Sequence, residues 1–103
     1  MSTLGIEYQK ALTLLSDRIL LARSEDELVA LRADQKKLYG RMGKLLDKEW
    51  ADTVPGYLAA VDALVAANRA AREATADLDK SGDYIAKLGS AVKVLSKFAA
   101  GLP

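Results

Sequence analysis

Apolar side chains recur at three- and four-residue spacing along most of the chain, the period of a helix with one buried stripe. From Leu4 to Arg23 the stripe is Leu4, Tyr8, Leu12, Leu15, Ile19 and Ala22. Leu14 and Leu21 lie seven apart and off that stripe, so they either widen the core face or meet something outside it. A second stripe of Leu28, Leu31, Leu38, Met42, Leu45 and Leu46 predicts a helix over 25–52, with Tyr39 and Trp50 at its edges. Tyr84, Ile85, Leu88, Val92, Leu95 and Ala99 form another such face over 83–99, with Lys93 and Lys97 opposite.

The stretch 55–80 differs because it is apolar on two sides. Tyr57, Val61, Leu64, Asn68, Ala71, Thr75 and Leu78 share one face, while Ala59, Ala60, Ala63, Ala66, Ala67, Ala70 and Ala74 fill a second. Asp62, Arg69, Arg72 and Glu73 leave only a narrow polar strip. A helix with so little polar surface needs neighbours on more than one side. Tyr57, Val61, Leu64, Val65 and Leu78 are expected to face the core, leaving the alanine face for a partner. Asn68, a polar group on an apolar stripe, must find a hydrogen-bond partner if buried. A register-fixing contact across an interface would supply one.

Local signals punctuate these helices. Ser24 followed three residues later by Glu27 matches a capping box, and Glu25, Asp26 and Glu27 suit the positive end of a helix dipole. The first two helices should therefore form a tight hairpin. Gly40 and Gly43 fall inside the second helix and imply a bend or a close neighbour there. Thr53-Val54-Pro55-Gly56 is the clearest break, with Pro55 suited to the first turn of the third helix. Ser81-Gly82-Asp83 is read as the last turn, with Gly82 as a C-cap.

The expected fold is all-α, a single helical domain over 1–103. Its four amphipathic helices, over 4–23, 25–52, 55–80 and 83–99, would close as an antiparallel up-down bundle or as paired helical hairpins. These spans are about 20, 28, 25 and 17 residues, or roughly 30, 42, 37 and 25 Å at the helical rise. The two middle helices would overhang the outer ones unless they bend or a second copy covers the excess, so a dimer of paired long hairpins competes with the monomer.

Composition narrows function more than it defines it. The 15 basic and 14 acidic residues leave a net charge of +1, so no strong overall field draws the chain to nucleic acid or anionic lipid. Cysteine and histidine are both absent, which removes thiolate metal sites, disulfides and the commonest general base near neutral pH. No catalytic constellation, metal site or cofactor is expected. The N-terminal MSTLGIEYQK lacks a signal-peptide pattern and no stretch reads as a membrane span, so a cytoplasmic location is the expectation, with signal-less secretion open.

Several stretches invite chemistry and each has a plainer explanation. Asp77, Asp79 and Asp83 do not match the spacing of a calcium loop, and a solvated helix end accounts for them better. Gly40-Arg41-Met42-Gly43-Lys44 fails as a P-loop, because Leu38 stands where the first glycine belongs and Leu45 comes after the lysine. LYGRMGKLL resembles the Gly-x-x-Gly loop of RNA-binding KH domains over nine residues, without that fold's strands. Trp50-Ala51-Asp52 is similar to the turn of small secreted helical hairpins, but lacks their glycine, and Leu88 stands where their C-terminal signal has an acid after Tyr84. Lys37, Arg41, Lys44 and Lys48 make a basic stripe on the second helix that could meet phosphates or an acidic partner; flanking Asp34, Asp47 and Asp52 favour a solvated face.

The function expected from these features is a noncatalytic helical interaction module, such as an adaptor, a chaperone-like protein or an assembly subunit. It would pair with itself as a dimer or with another protein, through Leu14, Leu21, Ala59, Ala63, Ala66, Ala67, Asn68, Ala70 and Ala74. An amphipathic protein lying on a membrane through its last helix is the alternative, and nucleic-acid binding through the basic stripe ranks third.

Overall fold

The computed structural model describes residues 3–40 and 54–101. These form four α-helices packed against one another, with no strand among the described residues. They are α1 (Thr3–Leu20), α2 (Glu25–Tyr39), α3 (Tyr57–Ala76) and α4 (Ser81–Ala100), with a single 3₁₀ turn at Leu78–Lys80 before α4.

The first connection matches the sequence signal closely. Ser24 is extended and its Oγ accepts the Glu27 N–H at 3.1 Å, starting α2 with three acids in its first turn. The reciprocal bond is displaced by one residue from a standard capping box: the Glu27 carboxylate accepts from the Arg23 N–H at 3.1 Å. The break before α3 is a type II turn. Gly56 takes a left-handed conformation, with φ of 85° and ψ of −8°, and the Tyr57 N–H returns to the Val54 carbonyl at 3.0 Å.

Four helix boundaries differ from the sequence reading, the first being the end of α1, which comes at Leu20 rather than Arg23. The second helix does not run unbroken to residue 52: the chain leaves helical conformation at Gly40, whose N–H closes on the Lys37 carbonyl. Met42, Gly43, Leu45, Leu46 and Trp50 lie outside the described residues. At its other end, α3 stops at Ala76 rather than near Lys80. Asp77 becomes extended and its carboxylate accepts the Asp79 N–H, which sets the 3₁₀ turn. Gly82 consequently belongs to the first turn of α4 and caps nothing. Over the described residues the helices are 18, 15, 20 and 20 residues long, and within them the middle helices do not overhang the outer ones.

Packing forms a ring in which α1 touches α2 and α3, and α4 touches α3 and α2. Tyr8, early in α1, donates its hydroxyl to the carbonyl of Leu38 at the end of α2, so those helices run antiparallel. Tyr57 and Phe98 meet edge to face with ring centroids 6.5 Å apart, which sets α3 against α4 in the same way. The neighbours α1 and α3 run parallel: the Leu4 N–H donates to Tyr57 Oη at one end, and Arg18 reaches the Ala74 carbonyl at the other. The link from Gly40 to Gly56 therefore joins helices at opposite corners of the ring, rather than adjacent ones as a simple up-down order would have it.

The core of α1 is Leu4, Tyr8, Ala11, Leu15 and Arg18, a strict four-three repeat rotated slightly from the stripe read in the sequence. Leu12 and Ile19 pack at its margin. Leu31 and Leu38 are the buried residues of α2, while Tyr84, Leu88, Ala91, Val92, Leu95 and Phe98 are the apolar core of α4. Each fully buried leucine contributes about 1.5–3 kcal/mol of apolar transfer.

Candidate functional site

The alanine face of α3, expected to meet a partner, is mostly occupied by the chain itself. Ala60, Ala67 and Ala74 of that face are fully buried and Ala70 nearly so; Ala71, on the core stripe, is fully buried too. The helix packs against α1 and α4 together, and small side chains let those neighbours come close on both sides. Ala63 is half-buried against the core, and only Ala59 and Ala66 stay exposed. Conversely, four positions assigned to the core side are less buried than expected: Thr75 is exposed, Val61 and Val65 are half-buried, and Leu78 sits half-buried in the 3₁₀ turn. One chain therefore satisfies both faces of this helix.

Asn68 meets the requirement placed on it, but inside the chain. It is buried, and its Nδ2 donates to the Glu7 carbonyl of α1 at 3.1 Å. An asparagine so held pins α3 against α1 at one height, because sliding either helix would leave a buried amide unpaired.

A feature that the apolar pattern concealed is Arg18. It is 1% exposed, yet the described residues place no carboxylate in ion-pair contact with it. Its Nη1 donates to the Ala74 carbonyl at 3.2 Å and its Nη2 to Ser81 Oγ at 2.7 Å, while Nε has no partner among the described residues. The guanidinium thus caps the carbonyl end of α3, where a cation suits the dipole, and ties it to the first residue of α4. Burial raises the ionisation of the neighbouring Tyr84 phenol well above its usual range; Arg18 pulls it back and Asp34 pushes it up. Asp34 itself is raised by partial burial, with Lys37 opposing. This cluster joins three helices and is built for positioning. The only sequence clue to it was the four-three spacing that continues from Leu15 to Arg18.

Arg23 makes a second tie at the same end of the bundle. Its Nη2 donates to the Leu78 carbonyl at 2.6 Å, and its Nη1 reaches Asp79 at 3.3 Å. Asp77 and Asp79 are explained by this arrangement, since they lie in the link that precedes α4 rather than at the wrong end of α3. Among the described residues, no group of three or more acidic, histidine or cysteine side chains could hold a metal ion.

The basic stripe cannot be assembled from the described residues. Lys37 is exposed near the end of α2, and Arg41, Lys44 and Lys48 lie outside them. In α4, Lys93 and Lys97 are exposed as expected, and the apolar face opposite is buried in the bundle. No described helix is long and apolar enough to cross a membrane.

Among the described residues, exposed large apolar side chains remain on three helices: Ile6 (45%) and Leu20 (84%) on α1 with Leu21 (43%) just past its end, Val29 (62%) and Tyr39 (61%) on α2, and Leu58 (59%) on α3. Leu14 is half-buried beside the core, so α1 is where exposed apolar residues adjoin a concavity. Ile6, Gln9, Lys10, Thr13 and Leu14 of α1, with Arg72 of α3, line an open concavity of about 430 Å³. Its lining combines the aliphatic Ile6 and Leu14 with two cations, Lys10 and Arg72, so it can receive apolar side chains flanked by acidic ones. Against known proteins, no family model, curated protein or solved structure matches this chain.

Proposed function

We propose that this chain is a noncatalytic helical interaction protein that binds other protein chains, itself included, through the outer face of α1. The observation that carries this reading is the concavity between α1 and α3, with Ile6 exposed on α1 and Leu21 exposed just past its end. Among the described residues, Arg18, Asn68 and Arg23 are held by backbone or side-chain partners within the bundle. A lack of histidine and cysteine further weakens a catalytic alternative.

Membrane-surface binding through α4 is the runner-up, and the burial of Tyr84, Leu88, Val92, Leu95 and Phe98 counts against it. That role would require the bundle to open. Light scattering across a concentration series into the high micromolar range tests the leading reading. The expected mass exceeds one copy at the upper end, and replacing Ile6 and Leu21 together by Glu returns it to one copy without lowering the melting temperature. A chain that stays monomeric throughout ends the self-associating form of the proposal.

A further inference from the structure

Along the outer face of α1, Ile6, Lys10, Leu14, Asp17 and Leu21 succeed one another at spacings of four, four, three and four. They form one ridge beside the core stripe, and Leu14 is the member that also touches the core. In order, the ridge reads apolar, positive, apolar, negative, apolar. Read backwards, it presents the same sequence of apolar positions with the two charges exchanged. That property is what a two-fold interface between antiparallel helices requires, because the same patch must complement itself.

We infer that this ridge pairs with the α1 ridge of a second copy, antiparallel and centred on Leu14. The inference rests on the association proposed above and names the partner and the geometry. In this alignment Ile6 faces Leu21 of the second copy, Lys10 faces Asp17, and the two Leu14 side chains meet near the axis. Parallel alignment would set Lys10 against Lys10 and Asp17 against Asp17, so the charges select orientation by repulsion as well as by attraction. Ile6 and Leu14 bound the concavity of about 430 Å³, which lies where Leu21 of the second copy arrives. Arg72 on its α3 rim adds a second cation on the side that Asp17 approaches. In the free chain, half-exposed Lys10 pairs at 3.4 Å with Glu7, whose side chain is only 13% exposed, so Asp17 of the second copy adds a carboxylate on the solvent side of Lys10. A single helix-on-helix contact falls at or below the small end of stable interfaces, roughly 1,200 Å² in total. The association is therefore weak and concentration-dependent.

Charge reversal tests the pairing directly. Lys10→Asp and Asp17→Lys each place two like-charged pairs across the two-fold, and each should raise the concentration for half-association by about tenfold in sedimentation velocity. The combined Lys10→Asp/Asp17→Lys chain restores opposite charges and should return to within about threefold of the parent. All of these side chains are solvent-facing, and helical circular dichroism should be unchanged. Single variants that weaken nothing, while the parent still dimerises, overturn the inference and leave the broader function standing on another face. Singles that weaken association without rescue in the double variant also overturn the antiparallel register. A parent that never exceeds one copy removes both the pairing and the self-associating reading beneath it.

Discussion

Arg18 Nη2 lies 2.7 Å from Ser81 Oγ, joining the last turn of α1 to the first residue of α4 across the diagonal of the bundle. The ring leaves these two helices without backbone contact, so the pair spans a gap between them. The guanidinium is dry and has no carboxylate beside it among the described residues, so its hydrogen bonds to Ser81 and to the Ala74 carbonyl are what offset its burial. Arg18→Ala should cost about 3 kcal/mol, from the void and the unpaired groups it leaves. Ser81→Ala should cost about 1.5–3 kcal/mol, since it leaves a charged donor without an acceptor. Urea unfolding of both single variants and the double should show non-additive losses; additive losses would refute coupling through this bond.

Gly56 holds the turn that launches α3. Its φ of 85° disfavours any side chain, and an added Cβ would also stand 3.3 Å from Phe98 Cδ1. Gly56→Ala should lower stability by about 1–2 kcal/mol, the usual cost of a left-handed L-residue. Equilibrium unfolding checks the figure, and a neutral result would mean that the turn readily adopts another form.

Asn68→Ala should cost about 1–2 kcal/mol, because it removes the donor to the Glu7 carbonyl and leaves that acceptor to find water. Amide exchange should quicken most where α1 and α3 touch. Quickening confined to α4 would argue against Asn68 as the pin between those two helices.

Stability should fall as the phenols at Tyr8 and Tyr84 are forced to ionise. Burial pushes Tyr8 up to about 12 and raises Tyr84 further. Because the folded chain holds these protons more tightly than the unfolded one, their contribution is complete below pH of about 10 and is lost as pH rises through the folded values. Tyr8→Phe and Tyr84→Phe should each flatten the alkaline limb of a melting-temperature profile. An unchanged slope in both would contradict the linkage.

Asp34 works at the acid end with the sign reversed from an ordinary salt-bridged carboxylate. Partial burial raises its pKa, so the folded chain favours the protonated form and loses that advantage as pH rises through the folded value. Asp34→Asn should stabilise the chain at neutral pH, with the gain disappearing below pH of about 4. Equal effects at both pH values would rule out a titration origin.

Four helices were legible in the chain because each carries its own period, although the ends of α2 and α3 were not. Ser24 and Glu27 mark the start of α2, and the glycine after Pro55 sets the turn before α3. These are local interactions, decided by neighbours a few residues away, and so they can be read without knowing the fold. The Asp77 turn was missed for a related reason: an aspartate that bends the chain looks, in one dimension, like one more polar position on a helix.

Tertiary structure alone decided which surfaces are free. Alanine on two sides of α3 shows that neighbours must come, yet only the ring of helices shows that α1 and α4 of the same chain are those neighbours. Burial of Arg18 was equally hidden, since a charge is ordinarily assigned to solvent, and what makes it tolerable is a carbonyl 56 residues away and a hydroxyl 63 away. The sequence by itself determined the helices and the apolar surface they must hide. Which face hides against which, and hence that the outer ridge of α1 is left exposed, depends on contacts between residues distant in the chain, and those exist only once all four helices have packed.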